Sequence, residues 1–240
     1  MRLSTVGSVD ENRVREEICV TGKSLYERRY TVGSAGNISA RLDDGWLITP
    51  TDACLGRLDP AEIAKVDFEG RHVSGGRPSK TLALHRRIYE NSSETRGVVH
   101  THSTSLVTLT IAGVWKDEDV LPPLTPYYVM KVGHVPLIRY RRPGDPAVAE
   151  QVAALAASVR AVLLERLGPV VWEKSVSHAS LMLWKSLRRR LSCIFRFCFG
   201  RKGFLSMLSR SLRLCSVLGG EGCWFLAFLD RFAAASKDGF

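Results

Sequence analysis

Gly97-Val98-Val99-His100-Thr101-His102 is the stretch on which the reading of this chain turns. An apolar run leads into two histidines at i and i+2, followed by Ser103-Thr104-Ser105 and a further apolar segment. In an extended strand alternate side chains share a face. His100 and His102 are therefore expected to project together from the end of a buried strand. Two imidazoles presented in this way suit one divalent metal, whose nitrogen ligands lie about 2.0–2.1 Å away when it is zinc. The plainer alternative is a polar strand end whose histidines meet solvent.

Upstream lies Arg77-Pro78-Ser79-Lys80-Thr81-Leu82-Ala83-Leu84-His85-Arg86-Arg87-Ile88-Tyr89. Ser79 reads as the cap of a helix that presents Leu82, Leu84, His85, Ile88 and Tyr89. Its start gathers a hydroxyl, an ammonium and free backbone donors, a place suited to a phosphate, although a bare helix start would look the same. Earlier still, Gly33-Ser34-Ala35-Gly36-Asn37-Ile38-Ser39 sets small residues between strand-like segments. Such a loop exposes backbone N–H groups and reads either as an anion cradle or as an ordinary hairpin turn.

The rest of the chain alternates short strands with capped helices. Residues 11–29 form an amphipathic pattern. Ile38 to Leu42 and Gly45 to Thr49 alternate around Asp43-Asp44-Gly45 as a hairpin. Asp59-Pro60 and Asp145-Pro146 each place an N-cap acid before a proline at the first helical position. Ser105 to Ala112 reads as a helix, Leu121 to Pro126 as a rigid extended loop, and Val132 to Tyr140 as a strand interrupted at Pro136. Arg160 to Leu164 and Pro169 to Trp172 are two apolar strands. The pattern predicts an α/β domain whose sheet is at least partly antiparallel.

Composition narrows the function classes. The chain has 240 residues, 45% of them hydrophobic, enough for a full core. No apolar run reaches the roughly 18 residues of a membrane span, the first ten residues lack the core of a secretion signal, and the cysteines show no C-x-x-C spacing. These features predict a soluble cytoplasmic protein with reduced thiols and no membrane partner. The net charge of +10 would suggest nucleic acid, but its distribution argues against that. Residues 1–183 carry 23 Lys+Arg against 21 Asp+Glu, whereas residues 184–240 carry 11 against 3. That last segment also holds eight of the nine Phe and none of the ten Pro. So abrupt a change marks a boundary after residue 183.

Taken as a set, Gly33-Ser34-Ala35-Gly36-Asn37-Ile38-Ser39, Ile48-Thr49-Pro50-Thr51, Pro78-Ser79-Lys80, Val98-Val99-His100-Thr101-His102 and Leu163-Leu164-x-x-x-Gly168-Pro169-Val170-Val171 resemble the class II aldolase/adducin family in order and spacing. Pro126-Tyr127-Tyr128-Val129-Met130-Lys131-Val132-Gly133 and Tyr140-Arg141-Arg142-Pro143-Gly144-Asp145 look most like its 3-oxo-tetronate 4-phosphate decarboxylase branch. The resemblance implies a three-layer α/β/α fold around a mainly antiparallel sheet, and a homotetramer with sites between subunits. It implies a divalent metal, zinc by preference, on His100 and His102. It also implies a small phosphorylated sugar-acid substrate held by Asn37, Thr51 and Ser79, with Lys80 and Tyr128 in catalytic roles. A sugar-phosphate aldolase or epimerase, or an inactive homologue, is the alternative within the same family.

Two departures from the family pattern stand out. Family members commonly carry a glutamate where this chain has Thr81, and a third metal histidine where it has Leu167. His85 and His134 are the substitute ligand candidates. The glutamate matters less for a decarboxylation, which needs no base to begin, than for an aldol cleavage. Past Leu183 the family pattern would close on an acidic helix, but this chain reads Trp184-Lys185-Ser186-Leu187-Arg188-Arg189-Arg190. Codons such as TGG AAG AGC TTG AGG AGA CGG, read two bases later, encode Glu-Glu-Leu-Glu-Glu-Thr. Residues 184–240 are accordingly expected to be an out-of-frame, poorly packed tail, the alternative being a basic-aromatic segment for membrane or nucleic acid.

Overall fold

The computed structural model describes residues 10–112, 114, 116–120, 126–142 and 144–182. All of them fall within Met1–Leu191, the first of the two units into which the chain divides. The boundary after residue 183, the tail reading, and residues 121–125 of the expected extended loop lie outside the described residues.

Helix α1, Glu11–Glu27, starts where Asp10 accepts backbone N–H bonds from Asn12 and Arg13 at 3.0 and 3.4 Å. Those bonds satisfy donors that the first helical turn leaves without partners. Strands β1 (Asn37–Arg41) and β2 (Trp46–Ile48) form the expected hairpin. Strands β3 (Ala64–Val66) and β4 (His72–Ser74) follow, then helix α2 (Leu82–Asn91), strand β5 (Gly97–His100) and helix α3 (Thr104–Ala112). Helix α4 (Pro126–Lys131), strand β6 (Leu137–Ile138), helix α5 (Pro146–Leu155), and strands β7 (Ala161–Leu164) and β8 (Gly168–Glu173) complete the described elements. The carboxylate of Asp145 caps α5 through the N–H of Ala147 at 2.9 Å, with Pro146 at the first position.

The eight strands make one sheet in the order β4-β3-β2-β1-β5-β8-β7-β6. Every pairing is antiparallel except β6 with β7. Alternation along the strands divides the core into two layers. Val98, Val162, Val170 and Trp172 pack on one face with Leu84 and Ile88 of α2 and Val152 of α5. Ile38, Leu47, Val99 and Val171, also buried, have the opposite parity, on the side where α1 meets β1 and α3 meets β8. The result is the three-layer α/β/α arrangement, with β5 near its centre.

Two local expectations shift. Helix α2 begins at Leu82, so Thr81 occupies the cap position and makes no side-chain cap bond. Ser79 instead organises the turn ahead of the helix, its Oγ accepting from the Thr81 N–H at 3.4 Å and lying 3.0 Å from Thr81 Oγ1. The strand expected over Val132–Tyr140 contracts to Leu137–Ile138. Val132 is taken up by the end of α4, its N–H bonded to the Tyr128 carbonyl at 2.8 Å, and Pro136 has no N–H to offer a ladder.

Candidate active site

The end of β5 is enclosed by its two neighbours. His100 sits opposite Asn37 of β1 on one side and Val170 of β8 on the other. Gly36, at φ +88, leads into β1, and a Cβ there would fall 2.7 Å from the His100 carbonyl oxygen. Gly168, at φ +112, begins β8, and a Cβ there would fall 2.3 Å from the Thr101 carbonyl oxygen. Both positions combine a left-handed backbone with a contact that no side chain can share. The two glycines therefore let the flanking segments close directly on the His100–His102 backbone.

His100 and His102 do come together, their ring centroids 4.8 Å apart. His100 is 3% exposed, and its Nδ1 donates to the Pro169 carbonyl at 2.9 Å. A carbonyl can only accept, so the proton sits on Nδ1 and the Nε2 lone pair is left for a ligand. Burial pushes the His100 imidazolium down to about 4, the neighbouring His102 adding to the shift and the Pro169 bond opposing it. Burial also lowers His102. Both shifts favour the neutral, metal-ligating form at neutral pH.

Behind this pair lies a polar chain inside the core. Asn37 and Ser39 alternate on the face of β1 that meets α2. His85, fully buried on α2, places Nε2 2.6 Å from Asn37 Oδ1 and Nδ1 2.7 Å from Ser39 Oγ. Ser39 Oγ is also 2.8 Å from the Tyr89 hydroxyl. Burial, with His100 nearby, holds His85 neutral and pushes it down to about 3. Burial raises the Tyr89 phenol, against the opposing effects of Ser39 and Arg41.

The proposed phosphate side is tied to the same end of the sheet. The Ile38 N–H donates to Thr49 Oγ1 at 3.2 Å, and the Thr49 N–H returns to the Ile38 carbonyl at 2.9 Å. One step on, the Thr51 N–H bonds the Arg77 carbonyl at 2.8 Å, and Pro50 bridges to Pro78. Asn37, Thr51 and Ser79 are thereby carried on linked segments beside the histidine pair. Lys80 follows Ser79 and is exposed. Tyr128 is buried on α4.

The substitute ligands do not join the pair. Both ring nitrogens of His85 are engaged in the polar chain. His134 is exposed, its Nδ1 3.1 Å from Asp119 Oδ2. Leu167 packs against the core on the α2–α5 face, and Thr81 bonds Ser79. Among the described residues no group of three or more His, Cys, Asp or Glu could hold a metal ion. The two imidazoles thus fit a divalent metal as a pair of nitrogen donors, with the other coordination positions left to water or substrate. Sequence reasoning passed over Ser39 and Tyr89. Their signals were the i, i+2 spacing from Asn37 and the i, i+4 spacing from His85, each of which puts two polar groups on one buried face.

A sheet of mainly antiparallel strands between two helical layers, with a histidine pair at the end of a central strand, defines a class II aldolase-like domain. Residues 16–186 match the Class II Aldolase and Adducin N-terminal domain, and the chain belongs to that family. It is 73% identical over 173 residues to the 3-oxo-tetronate 4-phosphate decarboxylase of Cupriavidus necator, covering 72% of this chain and 80% of that protein. The crystal structure of YgbL from Escherichia coli superposes with a TM-score of 0.74 at 40% identity, over 80% of this chain and 92% of that one. An L-fuculose-1-phosphate aldolase from Thermus thermophilus shares the fold at 24% identity and a TM-score of 0.63, over 72% of this chain and 88% of that one. No helix among the described residues is long and apolar enough to cross a membrane.

Proposed function

We propose that this chain decarboxylates a 3-oxo-tetronate 4-phosphate, releasing carbon dioxide and leaving dihydroxyacetone phosphate. The observation that carries the reading is the 73% identity to a decarboxylase of that name, over nearly all of the family domain. In the reaction the bond between the carboxylate and the neighbouring carbon breaks, and its electron pair moves toward the adjacent ketone. His100 and His102 would hold a divalent metal, zinc by the family resemblance, which would supply Lewis acidity to the reaction. Asn37, Thr51 and Ser79 hold the phosphate and orient the carboxylate for departure. Lys80, exposed beside Ser79, adds a positive charge to that end of the site. The carbon that loses the carboxylate then takes up a proton, a role that family resemblance gives to Tyr128. The same resemblance supports a homotetramer acting in four-carbon sugar-acid breakdown, and the composition of the sequence a cytoplasmic location.

The test is carbon dioxide release from 3-oxo-tetronate 4-phosphate by the zinc-supplemented full chain, alongside metal analysis of the purified protein. Stoichiometric carbon dioxide and dihydroxyacetone phosphate are expected. A protein that takes up no metal and gives no turnover, even with a family-type C-terminus restored, would be a non-catalytic homologue.

A further inference from the structure

We propose that Ser39 and His85 are positioning residues that lock the side-chain amide of Asn37, turning its NH2 group away from the core and toward the anionic group of the substrate. The inference rests on the reading of Asn37 as a phosphate ligand. It follows from counting protons along the buried chain. Asn37 Oδ1, 2.6 Å from His85 Nε2, is an acceptor only, so His85 Nε2 carries the hydrogen. The neutral ring then has a bare Nδ1, which must accept from Ser39 Oγ at 2.7 Å. Ser39 has a single hydroxyl hydrogen, so at 2.8 Å it must accept from the Tyr89 hydroxyl. With Asn37 Oδ1 facing His85, every bond runs one way, from Tyr89 through Ser39 and His85 to Asn37.

Directionality gives the chain a function that packing alone would not. The two branches of an amide are alike in shape but opposite in hydrogen bonding, and a free asparagine can present either one. Binding Oδ1 to the His85 N–H leaves Nδ2 as the branch pointing elsewhere, a donor matched to phosphate oxygens. Reversal would show the substrate a carbonyl oxygen, an acceptor set against an anion. Ser39 and His85 are 0% exposed, so water does not compete to scramble the order. Across the ladder Asn37 pairs with His100, which brings the oriented amide beside the histidine pair.

The full chain, labelled with ¹⁵N-histidine, tests this directly through the ring-nitrogen shifts of His85, with inorganic phosphate affinity measured by calorimetry. The wild-type ring is expected as the Nε2–H tautomer. Ser39→Ala removes the hydrogen bond that favours a bare Nδ1, so the reversed amide with an Nδ1–H ring becomes accessible and phosphate should bind roughly tenfold more weakly, the cost of one lost hydrogen bond to a charged group. Tyr89→Phe leaves the Ser39 hydrogen in place, so the wild-type tautomer should persist. An Nδ1–H ring in the wild type, or an unchanged phosphate affinity in Ser39→Ala, overturns the proposal. If Asn37→Ala leaves phosphate affinity unchanged, the phosphate reading of Asn37 fails. If Asn37→Ala weakens binding while Ser39→Ala does not, the positioning inference fails by itself.

Discussion

Lowering the pH from 7 to 5 acts on two imidazoles that the fold keeps neutral, and the size of the effect can be worked out. His85 and His100 are pushed down to about 3 and about 4 by burial, whereas an unfolded histidine titrates near 6.5. Their folded values lie below the unfolded one, so the unfolded chain binds more protons across this window. Stability is therefore fully present above the unfolded pKa and is lost as pH falls toward the folded values. At pH 5 both rings are still neutral in the folded state, so their mutual repulsion does not enter. Each then costs about 2 kcal/mol relative to pH 7, and the pair about 4 kcal/mol. That is a large share of the roughly 5–15 kcal/mol that holds a domain folded. The lowered carboxylates Glu11, Asp67 and Glu90 contribute mainly below this window, because their unfolded counterparts titrate at 3.8 to 4.5. Urea unfolding of the metal-free chain at fixed concentration should show proton uptake on unfolding that averages about 1.5 across pH 5 to 7 and rises to about two near pH 5, with His102, also lowered by burial, adding in the same direction. Stability at pH 5 within about 1 kcal/mol of that at pH 7 would refute the account of two buried, neutral histidines.

Four further outcomes are expected. Gly168→Ala should lower stability by more than about 2 kcal/mol in thermal melts, because the new methyl meets the Thr101 carbonyl at 2.3 Å from a left-handed backbone; it should also weaken metal uptake. Leu167→His, at the position where the family pattern carries a histidine, should tighten zinc binding at least about tenfold by calorimetry, since it offers a third imidazole. Val98→Ala should cost about 2–3 kcal/mol in denaturant melts, as Val98 is 0% exposed between α2 and the sheet. Sequencing the gene through the Leu183 codon tests the proposed change of frame, and an intact frame there removes it.

Local chemistry made much of this fold legible beforehand. The Asp59-Pro60 and Asp145-Pro146 starts hold, with cap bonds of 2.9 Å in each case. The hairpin around Asp43-Asp44-Gly45 holds too, because turn residues and alternation act within a few positions of each other. The turn at Ser79 is less legible. A hydroxyl ahead of an apolar pattern signals a helix start, but which residue caps it depends on how the segment is held, here by the Pro50–Pro78 bridge just past β2.

The sequence by itself determined the strand that ends in His100 and His102, the family motifs around it, and the absence of the usual glutamate and third histidine at Thr81 and Leu167. Only the tertiary structure decided what surrounds the pair. Gly36 and Gly168 are far apart in the chain, yet they press on the successive carbonyls of His100 and Thr101, a contact that no local pattern encodes. His85 was open as a metal ligand until both its nitrogens were seen to be engaged by Ser39 and Asn37. Residue types and spacing specify which atoms can donate or accept, whereas the partners they find are set by strand order and by how α2 packs on the sheet.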